Sequence, residues 1–126
     1  MNVEAYVVQV PLNTLVQDIF GGTVMERAPA PGRFRIYGRH VAAAGTVVLS
    51  ARIGAETKAN NLPLNVAAGA PVKPDDHIVD IDAAPNERLF VDLEETAGVA
   101  TDPNIRIEFE EFSREELARI ANGERV

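Results

Sequence analysis

The stretch that decides the fold class is residues 104–112, Asn-Ile-Arg-Ile-Glu-Phe-Glu-Glu-Phe. Its apolar residues Ile105, Ile107 and Phe109 alternate with charged residues, so one face of an extended strand is apolar and the other is polar. This period of two is typical of an antiparallel sheet that has one face on a core and the other in water. The stretch therefore predicts a half-buried strand.

Shorter runs rich in Val, Ile and Phe precede this strand, and each is closed by Gly, Pro, Asn or Asp. That spacing is typical of an all-β sandwich or barrel, because each strand must end in a turn before the next can pair. We predict eight or nine strands, over residues 3–10, 14–20, 33–41, 46–53, 56–59, 62–66, 77–82, 88–94 and 104–112.

Several of the connections between these strands are four to nine residues long and are not tight hairpins, which favours Greek-key or jelly-roll wiring over an up-and-down barrel. The predicted fold is a single all-β jelly-roll or Greek-key sandwich of about eight strands with a short C-terminal helix. An immunoglobulin-like sandwich stays open, since the absence of Cys and Trp counts only against antibody-type domains.

The helix is indicated by a capping box, in which Ser113 and Glu116 exchange hydrogen bonds between side chain and backbone. It is predicted over residues 114–121. A helix this short is not stable alone. Leu117 and Ile120 are therefore expected to dock on the sandwich or on a neighbouring subunit.

Length and composition predict one domain over residues 1–126, with residues 1–12 as an N-terminal strand or arm and residues 113–126 as the helix and tail. The absence of cysteine excludes disulfides and thiolate nucleophiles. The N-terminus has no basic segment, and no apolar run reaches the ~20 residues of a membrane span. We expect synthesis in the cytoplasm without a signal peptide.

Charge is distributed unevenly. Residues 1–60 carry six basic and four acidic side chains, whereas residues 61–126 carry six basic and fifteen acidic ones. An acidic surface repels phosphates, so we expect no binding to nucleic acid or to an anionic membrane. Arg33 and Arg35 share a strand face with Tyr37, and we interpret this face as a solvated one.

Few residues could carry chemistry. Residues 75–77 with Asp80 and Asp82 are rich in oxygen ligands, but no calcium-loop motif is present and His77 is predicted to point away from the two aspartates. We interpret them as solvated carboxylates. Together with His40 there are two histidines, too few for the metal site of a cupin-type enzyme.

The predicted inward positions are apolar, which disfavours a buried polar catalytic cluster. We therefore predict a non-enzymatic protein with no catalytic, metal or cofactor-binding residue. Tyr37 and Phe90 are the available platforms for stacking a sugar. They leave open a carbohydrate- or receptor-binding module.

Apolar residues placed where a partner can reach them are the candidate interface. The first predicted strand is apolar on both faces, and two prolines hold an extended loop before the third. The predicted interface residues are Val3, Tyr6, Val7, Val8, Pro29, Pro31, Leu117 and Ile120.

The chain also resembles the small jelly-roll virion proteins of bacteriophages over about its middle two thirds. The similarity lies in Phe34-Arg35-Ile36-Tyr37, Ala44-Gly45, Pro74-Asp75-Asp76-His77, Ala84-Pro85-Asn86-Glu87-Arg88-Leu89 and Ile105-Arg106-Ile107. The resemblance implies a virion location and a structural role as a head decoration or cement protein, or as a small capsid subunit, without active-site residues.

The partners that this role implies are the major capsid protein, other virion proteins and further copies of the same chain. The acidic charge favours an external position over one that lines packaged DNA. A homo-oligomer is expected, with a trimer as the predicted number because a particle lattice has local three-fold axes.

Overall fold

The computed structural model describes residues 2–11, 13–40, 47–66, 71, 76–96 and 102–123. Nine strands and one helix occur in this part of the chain: β1 Asn2–Val7, β2 Leu15–Val16, β3 Gly32–His40, β4 Val47–Ile53, β5 Glu56–Pro63, β6 Asn65–Val66, β7 His77–Ala83, β8 Leu89–Glu95, β9 Asn104–Glu111 and α1 Arg114–Ala121. The predicted turn at Ala44-Gly45 and most of the predicted loop over residues 67–74 lie outside the described residues.

The strands pair as an antiparallel ribbon that is wound on itself. β1 pairs with β9, β2 with β8, β3 with β7 and β4 with β5. Successive turns of the ribbon join because β9 also pairs with β3 and β8 with β4. Eight strands wired in this way form a jelly roll, and the predicted fold class is confirmed.

Two sheets result from this wiring. The first has the order β1-β9-β3, with β7 on the far side of β3 and the two-residue β6 lying parallel to the end of β3. The second has the order β2-β8-β4-β5. Side chains from the two inner faces form the core, and those that are fully buried include Phe34, Ile36, Ile81, Ile105, Ile107, Leu49, Leu89, Val91 and Leu93.

The segment between β1 and β3 closes the core along the side of β8 that faces away from β4. The backbone N–H of Ile19 donates to the carbonyl of Val91 at 2.9 Å, and that of Ala28 donates to the carbonyl of Glu87 at 3.0 Å. Three large side chains of this segment are fully buried, Val10, Phe20 and Met25. Residues outside the regular strands therefore supply part of the core.

The second strand is shorter than the predicted range of 14–20, because Asp18 adopts a left-handed conformation with φ of 53° that ends the strand. The backbone N–H of Asp18 donates to Asp92 Oδ1 at 2.9 Å, and its Oδ2 accepts from Arg88 Nη2 at 2.5 Å. Arg88 also pairs with Glu26 Oε1 at 3.0 Å. A cluster of distant charges therefore holds this turn.

The sequence predicts two separate strands over residues 56–59 and 62–66. This is wrong, because one continuous strand spans the predicted gap. β5 runs from Glu56 to Pro63, and Asn61 sits within it at φ of 52° where the register with β4 shifts. Its backbone N–H donates to Ser50 Oγ at 3.0 Å. Asn61 thus forms a bulge in an edge strand and not a chain reversal.

Candidate functional site

The first strand presents its two faces to different surroundings. On the inner face, the Tyr6 ring lies 5.4 Å from the Phe20 ring, centroid to centroid, and Val8 packs against the core. On the outer face, Val3 is 44% exposed, Val7 is 66% exposed and Ala5 is also exposed. Of the predicted interface residues in this strand, Val3 and Val7 are on the surface, whereas Tyr6 and Val8 are half-buried against the core.

The C-terminal helix is capped as predicted. Ser113 Oγ accepts from the backbone N–H of Glu116 at 3.1 Å, and Glu116 Oε1 accepts from the backbone N–H of Ser113 at 3.1 Å. The bond from the backbone N–H of Ser113 holds the pKa of Glu116 below its usual value, with a further contribution from the Ser113 side chain, because both stabilise the carboxylate. The backbone entry into α1 is therefore fixed by local chemistry alone.

The helix buries none of its residues and packs extensively on none of the named strands. Leu117 is 38% exposed and Ile120 is 42% exposed. The structure shows no extensive contact between α1 and a named strand, and docking of Leu117 and Ile120 on the sandwich or on a neighbouring subunit stays a prediction. The apolar side of α1 is available to another molecule.

The two prolines of the predicted interface differ in their surroundings. Pro29 is exposed, whereas Pro31 is half-buried and its carbonyl accepts from the backbone N–H of Phe112 at 2.9 Å. The Arg33 guanidinium lies 5.5 Å from the centre of the Phe112 ring. This loop and the start of β3 therefore support the residue from which α1 departs.

The outer face of the first sheet is a ladder of ion pairs, with N–O distances that mark direct contact. Arg33 pairs with Asp82 at 2.8 Å and Arg35 with Glu110 at 2.9 Å. The bond to Glu110 raises the pKa of Arg35. Each of these arginines is thus balanced by a carboxylate on a neighbouring strand.

Glu108 departs from the predicted pattern, since it was expected to point into solvent and it is buried. Its Oε2 accepts from Arg106 at 2.9 Å. Glu108 lies opposite Arg35 on β3 and opposite Val3 on β1. Side chains of the neighbouring strands cover Glu108. The alternation within one strand does not show which strands will lie beside it, so it does not predict this burial.

The predicted orientation of His77 is wrong. The register between β3 and β7 shifts after the pairing of Ile36 with Val79, so Tyr37 lies opposite His77. As a result His77 is exposed and its Nε2 lies 2.7 Å from Asp80 Oδ1, while its ring packs edge-on against Tyr37 at 5.3 Å. A bulge of one residue moved the histidine to the face of the aspartates.

Asp76 is buried although residues 75–77 were interpreted as solvated. Arg39 Nη2 lies 2.5 Å from Asp76 Oδ2, and Asn65 Nδ2 donates to Asp76 Oδ1 at 3.0 Å. Asp80 and Asp82 are exposed and face His77, Arg35 and Arg33. Asp75 lies outside the described residues. In the described part of the chain no group of three or more His, Asp or Glu side chains is placed to hold a metal ion.

His40 lies at the end of β3 and is fully buried. Burial lowers the pKa of the imidazole because it disfavours the cationic form, and the nearby carboxylate of Glu95 opposes this shift in part. Among the described residues Nδ1 of His40 has no hydrogen-bond partner. Burial of His40 thus favours the neutral form of the imidazole.

A shallow cavity of about 180 Å³ lies on the outer face of the second sheet, and Phe90 is its aromatic residue. The Arg52 guanidinium lies 3.8 Å from the centre of the Phe90 ring, and that of Arg88 lies 4.6 Å from it. Two cations therefore occupy the positions that a stacked sugar needs. Tyr37, the other predicted platform, is buried.

None of the helices in the described ranges is long and apolar enough to cross a membrane. Comparison of the chain with protein-family models, with curated proteins and with solved structures gives no match. The class of the protein is therefore defined by its own architecture, a jelly-roll sandwich with an exposed apolar edge strand and an exposed C-terminal helix.

Proposed function

We propose that this chain is a non-enzymatic structural protein of a phage particle, a capsid decoration or cement protein that oligomerises and binds the outer surface of the capsid. Its partners in this role are the major capsid protein or other virion proteins, together with further copies of the same chain. The proposal locates the protein in the virion.

The observation that carries the proposal is the state of α1. This eight-residue helix has a complete capping box and yet buries no side chain. Isolated helices of this length are marginal in water, so most of the stability of such a helix comes from packing its apolar side. Leu117 and Ile120 supply that side. A neighbouring protein that covers them explains why the helix is capped and exposed.

The charge distribution supports an external position. The arginines of the first sheet are paired with Asp82 and Glu110, so they do not form a free basic surface. The chain as a whole carries a net charge of −7. Such a surface is unfavourable against packaged DNA, because binding DNA depends on releasing its counterions with free cationic groups.

A second candidate is a small jelly-roll subunit of the shell itself. The observation that favours it is the complete pairing of β1 with β9, β2 with β8, β3 with β7 and β4 with β5. Jelly rolls of this kind occur in viral capsids as well as in lectins. A lectin-like role has less support for two reasons. The Phe90 ring is in contact with the Arg52 guanidinium, and the Tyr37 ring is buried.

Co-sedimentation with particles tests the proposal. Purified protein is mixed with capsids assembled without it, and the bound fraction is measured for the wild type, for Leu117→Asp/Ile120→Asp and for Val24→Asp. Val24 is 71% exposed and lies outside both β1 and α1, so it is the matched control. The wild type and V24D should bind in a fixed ratio to the major capsid protein, and the helix variant should not, because a carboxylate in an apolar contact loses its hydration.

Cryo-electron microscopy of the decorated particles then locates the chain. Density at symmetric outer positions supports decoration, whereas capsids that do not assemble without this chain support the shell subunit. Failure of the wild-type protein to bind any capsid, or equal binding by the helix variant, would contradict the proposed function.

A further inference from the structure

We propose that β1 is a self-pairing edge, through which two copies of this chain join antiparallel about a two-fold axis at Ala5. In this arrangement Val3 of each copy lies opposite Val7 of the other, and the first sheets of the two copies form one continuous sheet. The inference deepens the self-assembly part of the proposed function and rests on it.

The edge of β1 that faces away from β9 carries no further strand in the described part of the chain. Among the described residues β1 pairs with β9 and with no other strand. Val3, Ala5 and Val7 are all exposed along its outer face. A row of backbone N–H and C=O groups next to exposed apolar side chains is the surface to which another strand adds.

The hydrogen-bonding phase of β1 identifies which groups are free. The backbone N–H of Val8 donates to the carbonyl of Pro103 at 3.0 Å. In an antiparallel pair the groups of alternate residues point to the same neighbour. The even-numbered residues of β1 therefore face β9, and the N–H and C=O groups of Val3, Ala5 and Val7 face the open edge.

These three residues are self-complementary. When Ala5 lies opposite Ala5 of a second copy, Val3 lies opposite Val7 and all the free groups of the three residues pair at once, in about six hydrogen bonds. Their side chains meet as an apolar stripe on the outer face. A register displaced by one pairing step toward the N-terminus places Glu4 opposite Glu4, which like-charge repulsion disfavours.

Another long edge strand, β5, shows features that β1 lacks. β5 ends the second sheet, and it carries the exposed Lys58, a bulge at Asn61 and Pro63. These are devices by which proteins prevent strands from adding to an edge. β1 contains no lysine, proline or bulge. Its one charged residue, Glu4, lies opposite the buried Ile107 and so belongs to the inner face; an inward charge also disfavours strand addition, but it leaves the outer face of β1 uncharged.

A charge-swap experiment tests both the contact and its register. Molar mass in solution is measured by light scattering for the wild type, for Val3→Lys/Val7→Lys and for Val3→Lys/Val7→Glu. The wild type should dimerise at high concentration. V3K/V7K places lysine opposite lysine twice and should be monomeric, whereas V3K/V7E places lysine opposite glutamate twice and should dimerise again.

A cross-linking experiment tests the two-fold axis, and the absence of cysteine makes single substitutions clean. Ala5→Cys places two thiols on Cα atoms roughly 5.5 Å apart, whereas Val3→Cys and Val7→Cys each leave them roughly 13 Å apart in the dimer. A bifunctional maleimide shorter than that separation should cross-link A5C and neither of the other two. Val24→Cys is the control for collisions between exposed thiols.

Amide exchange provides a measurement without substitution. Exchange at Val3, Ala5 and Val7 should slow as the wild-type concentration rises, while exchange at Tyr6, whose N–H faces β9, should not depend on concentration. A wild type that stays monomeric at its highest soluble concentration, an assembly that V3K/V7K leaves at its original mass, or a monomeric V3K/V7E would each overturn the inference.

The outcome is separable from that of the proposed function. If the wild type binds capsids but is monomeric in solution, the self-pairing edge is wrong and the decoration role stands. If it dimerises as described but binds no capsid, the edge stands and the role in the particle is wrong. Capture of an extended segment of another protein by β1, with the wild type monomeric, identifies a different occupant and also overturns the inference.

Discussion

The N-terminal strand and the C-terminal helix both display apolar side chains, but they are attached to the sandwich in different ways. β1 pairs with β9 over six residues, from Asn2 opposite Phe109 to Val7 opposite Asn104. The helix α1 has no such support and is held by its own caps and by Phe112 at its base. The strand β1 is an integral part of the sandwich, whereas the helix α1 is attached to it mainly at its N-terminal end.

This difference separates two kinds of interaction surface. The outer face of β1 is preorganised, because its backbone is fixed by the same bonds that stabilise the sheet, so a partner has little conformational entropy to remove. For α1, the partner must supply most of the packing that keeps the helix ordered. Substitutions on the inner face of β1 should therefore affect folding, whereas those on its exposed face and those in α1 should affect association.

Paired truncations should give the largest difference in stability between the loss of β1 and the loss of α1. Deletion of residues 1–10 removes the β1 ladder and the buried Val10 and should destabilise the protein by several kcal/mol or prevent folding. Deletion of residues 114–126 should change the free energy of unfolding by less than about 0.5 kcal/mol. Urea denaturation of both measures the difference, and two similar values would contradict it.

A pair of alanine substitutions compares the contributions of one β1 side chain and one α1 side chain to stability. Tyr6→Ala removes the ring that packs on Phe20 and should cost about 2–3 kcal/mol, since it leaves space in the core beside β1. Leu117→Ala should cost less than about 0.5 kcal/mol in the isolated protein. Thermal unfolding monitored by circular dichroism checks both. A large loss of stability in L117A would mean that the helix packs on its own sandwich in solution.

Removal of the helix cap should have a smaller and strictly local effect. Ser113→Ala deletes the acceptor for the backbone N–H of Glu116 and should weaken α1 by about 1 kcal/mol. Amide exchange over residues 114–121 should become faster, while exchange in β1 should not change. Ser113→Asp, which retains a cap, is the control. Faster exchange in β1 as well would show that the two regions are coupled.

The pH dependence of the helix should be the smallest effect. The pKa of Glu116 is lowered in the folded protein by its bonds to Ser113, so this stabilisation is present above the usual value of 4.5 and is lost as the pH falls through the lowered pKa. NMR shifts of residues 114–121 should report this loss of helix while β1 resonances stay constant. In Ser113→Ala the pKa of Glu116 should move only part of the way toward its ordinary value, because the backbone N–H of residue 113 remains and only the side-chain contribution is lost.

The local patterns of the chain predicted most of the strands correctly, because the period of two in residues 104–112 and 88–94 depends only on which side chains face a core. The capping box at Ser113 and Glu116 was also readable, since all its partners lie within four residues. Asn61 has a positive φ, which asparagine tolerates by residue type, but the residue type does not determine which structure this conformation forms. Asn61 forms a bulge because its backbone N–H donates to Ser50 Oγ on the neighbouring strand β4.

What lay beyond the sequence were the features created by residues distant along the chain. The shortening of β2 depends on Asp18 meeting Arg88, which is 70 residues away. The exposure of His77 depends on a register shift against β3, and the burial of Glu108 depends on neighbours from other strands. Alternation in the sequence indicates whether a side chain prefers the core or water, but it contains no information on which strand will lie beside it.

The same limit applies to the interaction surfaces. The amino-acid sequence by itself determined that residues 3–8 are apolar on alternate faces and that Leu117 and Ile120 share one side of a capped helix. Only the tertiary structure decided that Tyr6 faces the core while Val3 and Val7 face solvent, and that Leu117 and Ile120 are left partly exposed. The physical reason is that an apolar side chain favours burial against any apolar surface, and the sheet pairing selects which of the available surfaces it meets.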